Sequence, residues 1–205
     1  MYRNISLYPI LRVRARPHSN NFRVASSTAK STIAVLSPEE TGSNMPGLAP
    51  ADKTSSVELS EAINSMYKWY QAATICYAYF EDIRSSQSCT DCEIGSCRCL
   101  TRGWTLQELV APSIIEFYAY NWTKIGTKMS LQGIIAKLTG IPTAFLSGTI
   151  QANDYTVAER ILWASDRQTT RKEDEAYSPL GIFNIYMPML YGEGTNAFQR
   201  LQEEF

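Results

Sequence analysis

With 205 residues, 44% of them hydrophobic and 19% charged, the chain has the size and composition of one globular domain with an extension. No apolar run approaches the roughly 18 residues that a membrane-spanning helix needs. Residues 1–38 carry six basic residues and no acid, whereas the rest carries 13 basic and 20 acidic residues, a balance of −7. This balance argues against binding to nucleic acid or to an anionic membrane surface.

Residues 1–50 show no sustained hydrophobic periodicity, and Pro, Gly and Ser are frequent in the stretch from residue 37 onward. We expect a basic, disordered tail, because such a segment buries too little apolar surface to fold. Arg and Ser with few acids are also typical of mitochondrial presequences, which leaves a second interpretation open. Within this range "STIAVLS" (31–37) is a candidate strand.

An ordered α/β domain is predicted from residue 51 onward. Ser55 and Glu58 form a capping box that starts a helix, and apolar residues then recur on one helical face. That face consists of Leu59, Ile63, Met66, Tyr67 and Tyr70. A buried strand follows at 74–80, where β-branched and aromatic residues dominate. Residues 81–99 are expected to form a polar loop.

Helix and strand patterns alternate again after this loop. "WTLQEL" (104–109) predicts a short helix, residues 113–120 a second strand and 121–128 a turn. Later helices are marked by a capping residue, a proline or a glycine: Ser130, Gly140, Pro142, Thr156 with Glu159, and Pro179 inside 171–183. Residues 195–205 predict a final amphipathic helix. This order indicates an α/β fold with a helical C-terminal part.

The cysteines pose the question of a metal site. Cys89, Cys92, Cys97 and Cys99 lie within eleven residues, and four such thiols can hold zinc or an iron–sulfur cluster. The C-x-C spacing of the second pair is cramped for tetrahedral zinc, so we predict a thiol-rich surface loop without metal. The one histidine, His18, precedes the domain, which excludes Cys–His or Ser–His catalysis within it.

Most acidic residues are explained as solvated charges. Glu173, Asp174 and Glu175 fall in the first turn of a predicted helix, where the helix dipole favours acidic side chains. The glutamate of "YGEG" (191–194) lacks the lysine of a phosphate-binding loop.

Glu108 differs from these acids, because Trp104 lies four residues earlier on the same helical face. An indole beside a carboxylate disfavours the charged form through lost hydration, and this is one way to tune a catalytic acid or base. In the alternative interpretation Trp104 packs into the core while Glu108 points outward or pairs with Arg102.

Five stretches resemble the fungal heterokaryon incompatibility (HET) domain, among them "TRGWTLQELVAP" and "MPMLYGEGTNAFQRLQEEF". The others cover 52–83, 122–128 and 157–183, so the resemblance runs from about Ala51 to Phe205. It implies a cytoplasmic module of filamentous fungi that acts in nonself recognition and regulated cell death. Its implied partners are other HET or receptor-like proteins, and oligomerisation is compatible with such a role.

HET domains are in turn similar to TIR domains, some of which cleave NAD through a helical glutamate in a W-x3-E pattern. Trp104 and Glu108 match this pattern, so the resemblance implies Glu108 as the catalytic residue with Trp104 packed beside it. Glu108 would hold the ribose hydroxyls and stabilise oxocarbenium charge while the nicotinamide–ribose bond breaks. NAD would then be a substrate, and no cofactor is implied.

Two strands of the HET pattern, like I-L-S-H-T-W-G and W-I-D-T-C-C-I-D, have no counterpart in this sequence. We therefore expect an incomplete TIR-like sheet flanked by helices, with a tail at 1–50 and a HET-like domain lacking its first strands at 51–205. Three functions remain open: an incompatibility module, a degenerate inactive paralogue, and an NAD-cleaving enzyme. Because part of the cleft would be missing, we expect no NAD turnover.

Overall fold

The computed structural model describes residues 23–28, 31–36, 56–80, 82–84, 94 and 97–205, which form a mixed α/β fold. Within this part, one sheet has the spatial order β1-β2-β3-β4-β5. Its strands are β1 Arg23–Thr28, β2 Ser31–Leu36, β3 Ile75–Phe80, β4 Ile115–Ala119 and β5 Lys124–Thr127. Only β3 and β4 pair in parallel; the other described neighbours are antiparallel. A parallel pair needs a long crossover, and this crossover carries the Trp104–Glu108 stretch.

The helices of the described part lie mainly after β3. They are α1 Ser56–Ala72, α2 Arg98–Thr101, α3 Thr105–Val110, α4 Gln132–Thr139, α5 Thr143–Leu146, α6 Val157–Ser165, α7 Asp174–Tyr177, α8 Leu180–Phe183 and α9 Asn196–Glu203. A 3₁₀ turn covers Ala152–Asp154. None of these helices is long and apolar enough to cross a membrane.

Two hydrophobic clusters hold these elements together. The first contains the buried face of the two parallel strands, which consists of Cys76, Ala78, Phe80, Ile115, Phe117 and Ala119. Along each strand these residues alternate with half-exposed ones, as expected for a sheet covered on one side. Met66 and Tyr70 of α1 pack in this cluster, whereas Ile63 packs in the second, which α7, α8 and α9 complete. Half-buried Trp104 contacts both clusters.

Several predicted elements are confirmed. The helix over 56–72 buries the predicted face at Ile63, Met66 and Tyr70, while Ser55 and the side chain of Leu59 lie outside the described residues. Thr156 and Glu159 form the expected capping box of α6. Other confirmed features are the strands β3 and β4, Gly140 in the left-handed conformation after α4, Pro142 before α5, the break between α7 and α8 at Pro179, and α9.

The expectations for the N-terminal range are confirmed at one place and corrected at another. Strand β2 confirms the candidate strand at 31–37, and β1 adds a strand at 23–28 inside the range predicted to be disordered. Strand β2 pairs with β3 along six residues, from Ser31–Phe80 to Leu36–Ile75. The described sheet therefore extends beyond β3 through strands from the N-terminal range. The rest of 1–50 lies outside the described residues.

Two segments predicted to be irregular are also more ordered than expected. In the predicted polar loop, Ile83, Ile94 and Cys97 are buried, and helix α2 begins at its end. The apolar residues of this loop are scattered among polar ones without a period, so the sequence pattern did not predict their burial. The predicted turn at 121–128 contains β5, which makes a hairpin with β4. Ser130 does not cap α4; its hydroxyl accepts from the Thr127 backbone N–H at 2.8 Å instead.

Candidate functional site

The Trp104–Glu108 stretch forms an interior helix rather than a surface one. All six residues of α3 are buried, including the polar Gln107 and Glu108. Glu108 is 3% exposed, and the hydroxyl of Tyr70 on α1 donates to its Oε1 at 3.1 Å. The alternative interpretation in which Glu108 points outward is therefore wrong. Leu106 and Leu109 draw the helix into the first cluster, and a six-residue helix inside a core has no solvent face left for a glutamate.

A buried lysine stabilises the C-terminal end of α3. Lys128, which follows β5, is 4% exposed, and its Nζ donates to the carbonyl oxygens of Val110 at 3.0 Å and Pro112 at 2.9 Å. These carbonyls lack partners within the helix, so the ammonium acts as its cap. Burial lowers the pKa of Lys128 to about 8.

Cys76 brings a third ionisable group to the same interior region. Burial, and then the negative charge of Glu108, raise the pKa of the Cys76 thiol to about 12, while Lys128 acts in the opposite direction. The thiol therefore stays protonated at neutral pH and is a poor nucleophile. Cys76 therefore interacts electrostatically with both Glu108 and Lys128, and all three side chains are buried.

Gln107 ties α3 to the C-terminal helices. Its side chain is fully buried, and Nε2 donates to the carbonyl oxygen of Ser178 at 2.6 Å. Gly181, at the start of α8, makes this contact feasible. A Cβ atom there would lie 2.2 Å from Cβ of Tyr67 and 2.6 Å from Oε1 of Gln107. The sequence therefore needs glycine at this position for α8 to approach α1 and α3.

The side chain of Trp104 interacts with Asp174, which is a different carboxylate from Glu108, the one that the sequence suggested. Its ring N–H hydrogen-bonds to Asp174 and helps to lower the pKa of that carboxyl. The hydroxyl of Tyr191 also donates to Asp174, at 3.0 Å. Burial of Asp174 is nevertheless the largest effect, and the net result is a raised pKa. The tryptophan thus joins the start of α3 to α7 and the loop after α8.

The acidic residues at α7 are not all solvated, which corrects a second expectation. Glu173 is 8% and Asp174 is 6% exposed, whereas Glu175 is exposed and pairs with Lys172 at 2.8 Å as a surface charge. Oε1 of Glu173 accepts the backbone N–H groups of Gly192 at 2.8 Å and Gly194 at 3.1 Å. Backbone N–H donors lower the pKa of Glu173.

The two glycines of the "YGEG" loop were a sequence signal for the Glu173 contact, and this signal was not recognised in the sequence. Gly192 and Gly194 have φ of 110° and 62°, conformations that suit glycine and that turn successive N–H groups toward one carboxylate. Between them, Glu193 accepts from the hydroxyl of Tyr177 and forms an ion pair with Arg200. The positive φ angles of the two glycines therefore let the loop surround an anion, which here is the Glu173 carboxylate of the same chain.

Two further site expectations have separate outcomes. Cys97 is buried, so it does not belong to a surface loop. Cys89, Cys92 and the side chain of Cys99 lie outside the described residues, as does His18. In the described part, no three potential metal-binding side chains come together.

An open cleft of about 190 Å³ lies elsewhere, between α1, the 3₁₀ turn and the segment that follows α8. Trp104 and Glu108 are not among its lining residues. The predicted catalytic pair therefore does not line this cleft.

No protein-family model matches the sequence, and no solved structure matches it. Among curated proteins, the vegetative incompatibility protein HET-E-1 of Podospora anserina is 43% identical over 160 residues, which cover 75% of this chain. This chain is related to HET-E-1. The match covers 12% of the length of HET-E-1, so the chain corresponds to a small part of that protein. The relationship to HET-E-1 supports the incompatibility resemblance and a fungal origin.

Proposed function

We propose that this chain is a vegetative incompatibility module of filamentous fungi that acts by binding other proteins rather than by cleaving NAD. The observation that carries the proposal is the 43% identity to HET-E-1 over 160 residues. In this proposal the module contributes to nonself recognition and regulated cell death in the cytoplasm. Its partners in this proposal are incompatibility or receptor-like proteins.

The surroundings of Glu108 support the non-enzymatic form of the proposal. A carboxylate that holds ribose hydroxyls has to face a space that the substrate can enter. Glu108 is 3% exposed and accepts from Tyr70 instead. To expose it, α3 would have to leave the core, which would break the contacts of Lys128 and Gln107 with neighbouring backbone. We therefore assign Glu108 a structural role.

Trp104 is the residue whose loss should affect the module most specifically. It contacts both hydrophobic clusters and bonds to Asp174, so it fixes the C-terminal helices against the sheet domain. A surface formed by both parts would lose its shape when this link is removed.

Expression in a filamentous fungus tests the proposal. We expect the intact chain to arrest growth, Trp104→Ala to abolish the arrest, and Leu162→Ala to leave it intact, since Leu162 is an exposed control on α6. Circular dichroism of each purified variant separates loss of function from loss of fold. A folded intact chain that leaves growth unaffected would argue for an inactive paralogue.

A further inference from the structure

We propose that the cleft between α1 and α8 binds a small sugar phosphate. Neither Trp104 nor Glu108 lines this cleft, and the inference does not depend on the proposed incompatibility role. Its polar lining is unusual in being dominated by carboxamides, which are Asn64, Gln71, Gln151, Asn153 and Asn184. Tyr67, Tyr186 and Lys68 complete the polar lining, and Phe145 and Ile182 give it an apolar side.

The carboxamides match a ligand with several hydroxyl groups. A carboxamide has two N–H donors and a carbonyl acceptor, and a hydroxyl both donates and accepts, so adjacent hydroxyls can pair with adjacent amides. Apolar ring edges and aliphatic side chains then cover the C–H faces of a sugar ring.

Lys68 supplies the preference for an anion. It is exposed, and its Nζ lies 5.0 Å from the ring centroid of Tyr186, which places the ammonium at the edge of the cleft. No aspartate or glutamate is among the described lining residues, so no lining carboxylate neutralises the lysine. A phosphate is the anion that best uses such a point charge beside hydrogen-bond donors.

Asn64 provides an unfilled hydrogen-bonding position in the cleft wall. Its Nδ2 donates to the carbonyl oxygen of Met187 at 3.3 Å, which fixes the orientation of the amide. Its Oδ1 is almost inaccessible to solvent and has no partner within the described part of the chain. Buried carbonyl oxygens are normally paired, so a small rotation of the Asn64 side chain toward the cleft would let a ligand hydroxyl supply the missing donor.

The walls of the cleft are also held in place before any ligand arrives. Gly181 packs directly on Tyr67, since even a Cβ atom would clash there at 2.2 Å. Asn184 adopts a left-handed conformation with φ of 57° at the end of α8, and its Oδ1 accepts from the hydroxyl of Tyr186 at 3.2 Å. A site with fixed walls loses less entropy on binding.

The volume limits the size of the ligand. A cleft of about 190 Å³ is comparable in size with one monosaccharide that carries a phosphate group and is smaller than a whole dinucleotide.

NMR titration of the ¹⁵N-labelled full chain tests the proposal with ribose 5-phosphate, ribose and inorganic phosphate. We expect saturable shifts around the cleft with ribose 5-phosphate, and binding of ribose that is weaker by about tenfold. Lys68→Met should lower the affinity for ribose 5-phosphate to that for ribose. Asn153→Ala should weaken both ligands, and both substitutions change exposed side chains that leave the fold intact.

Lys172→Met is the matched control, because it removes the same charge from an exposed lysine outside the cleft. The proposal predicts that this control binds ribose 5-phosphate as the unchanged chain does. Absence of saturable binding overturns the proposal. Equal affinity for inorganic phosphate and ribose 5-phosphate also overturns it, because the cleft would then recognise only a negative charge. An equal loss of affinity in Lys68→Met and Lys172→Met overturns it as well, because the position of the lysine would then not matter.

Discussion

Two buried acidic sites in this molecule are bound by different kinds of hydrogen-bond donor. Glu108 accepts from a phenolic hydroxyl, that of Tyr70, and lies in a region shared with Cys76 and Lys128. Glu173 accepts two backbone N–H groups of the glycine loop. The neighbouring Asp174 accepts from aromatic side chains, the ring N–H of Trp104 and the hydroxyl of Tyr191.

The comparison shows that a sequence motif does not by itself reveal which acid is available for chemistry. Glu108 stands in a motif that suggests catalysis, yet its helix is buried on every side. Glu173 stands in a run that suggests solvated charge, yet it organises a loop. In both cases the number and kind of nearby donors decide what the carboxylate does.

Removing the Glu173 carboxylate should have the largest effect on stability. Glu173→Ala leaves the N–H groups of Gly192 and Gly194 without their acceptor, and we expect it to lower the free energy of unfolding by about 3 kcal/mol. Urea denaturation measures this loss. Glu175→Ala removes the same charge from an exposed neighbour and should change stability by less than about 0.5 kcal/mol. Similar losses in both variants would mean that the glycine loop does not depend on Glu173.

The pH dependence of stability tests Lys128, the buried lysine of the Glu108 region. The pKa of Lys128 is about 8 in the folded chain, below its unfolded value of about 10.4. Between these values the unfolded chain binds more protons, so this lysine makes stability rise with pH. Below pH 8 the folded chain carries the full cost of the buried charge.

Lys128→Met removes this contribution. We expect the free energy of unfolding of the unchanged chain to rise relative to that of Lys128→Met as the pH increases. The rise should be up to about 1.4 kcal/mol per pH unit between pH 8 and 10. The raised pKa of Cys76 acts in the opposite direction above pH 9, but it is common to both proteins and largely cancels. Denaturation at a series of pH values gives the difference, and a flat difference would show that Lys128 titrates like a solvated lysine.

Tyr70→Phe tests the hydroxyl that holds Glu108. We expect a loss of about 1.5 kcal/mol, because a buried carboxylate loses a donor while the packing of the ring is kept. Tyr79→Phe is the control, since the hydroxyl of Tyr79 donates to the backbone of Tyr120 in an exposed position. Thermal unfolding compares the two, and an equal effect would indicate that Glu108 does not need the Tyr70 hydroxyl.

The smallest expected effect concerns Trp104. Trp104→Phe keeps an aromatic ring but removes the ring N–H that bonds to Asp174, and we expect a cost of about 1 kcal/mol. The pKa of Asp174 should rise further, because burial then acts with one opposing hydrogen bond fewer. NMR of the carboxyl carbon follows this titration. An unchanged pKa of Asp174 would show that the hydrogen bond from Trp104 does not stabilise the Asp174 carboxylate.

Much of the fold could be predicted because the signals are local. The α1 face, the strands β3 and β4, the capping box at Thr156 and the break at Pro179 each depend on residues within one or two turns. The strand β5 and helix α2 could not be predicted in this way. Their sequences are short and mixed, and they are ordered by pairing with β4 and by the core around Cys97.

The site was harder to predict because its contacts join distant parts of the chain. Tyr70 and Glu108 are 38 residues apart, and Gln107 and the Ser178 carbonyl are 71 residues apart. Neither pairing leaves a pattern in the sequence. The glycine loop did leave one, since glycines permit the positive φ angles with which successive backbone N–H groups turn toward one anion.

The structural role of Glu108 is the central claim, and its most direct test is release of nicotinamide from NAD by the purified chain. We expect no release above the background of a buffer control, and no difference between the unchanged chain and Glu108→Gln. Release at an enzymatic rate that Glu108→Gln abolishes would contradict the structural role, because the carboxylate would then have to reach a substrate.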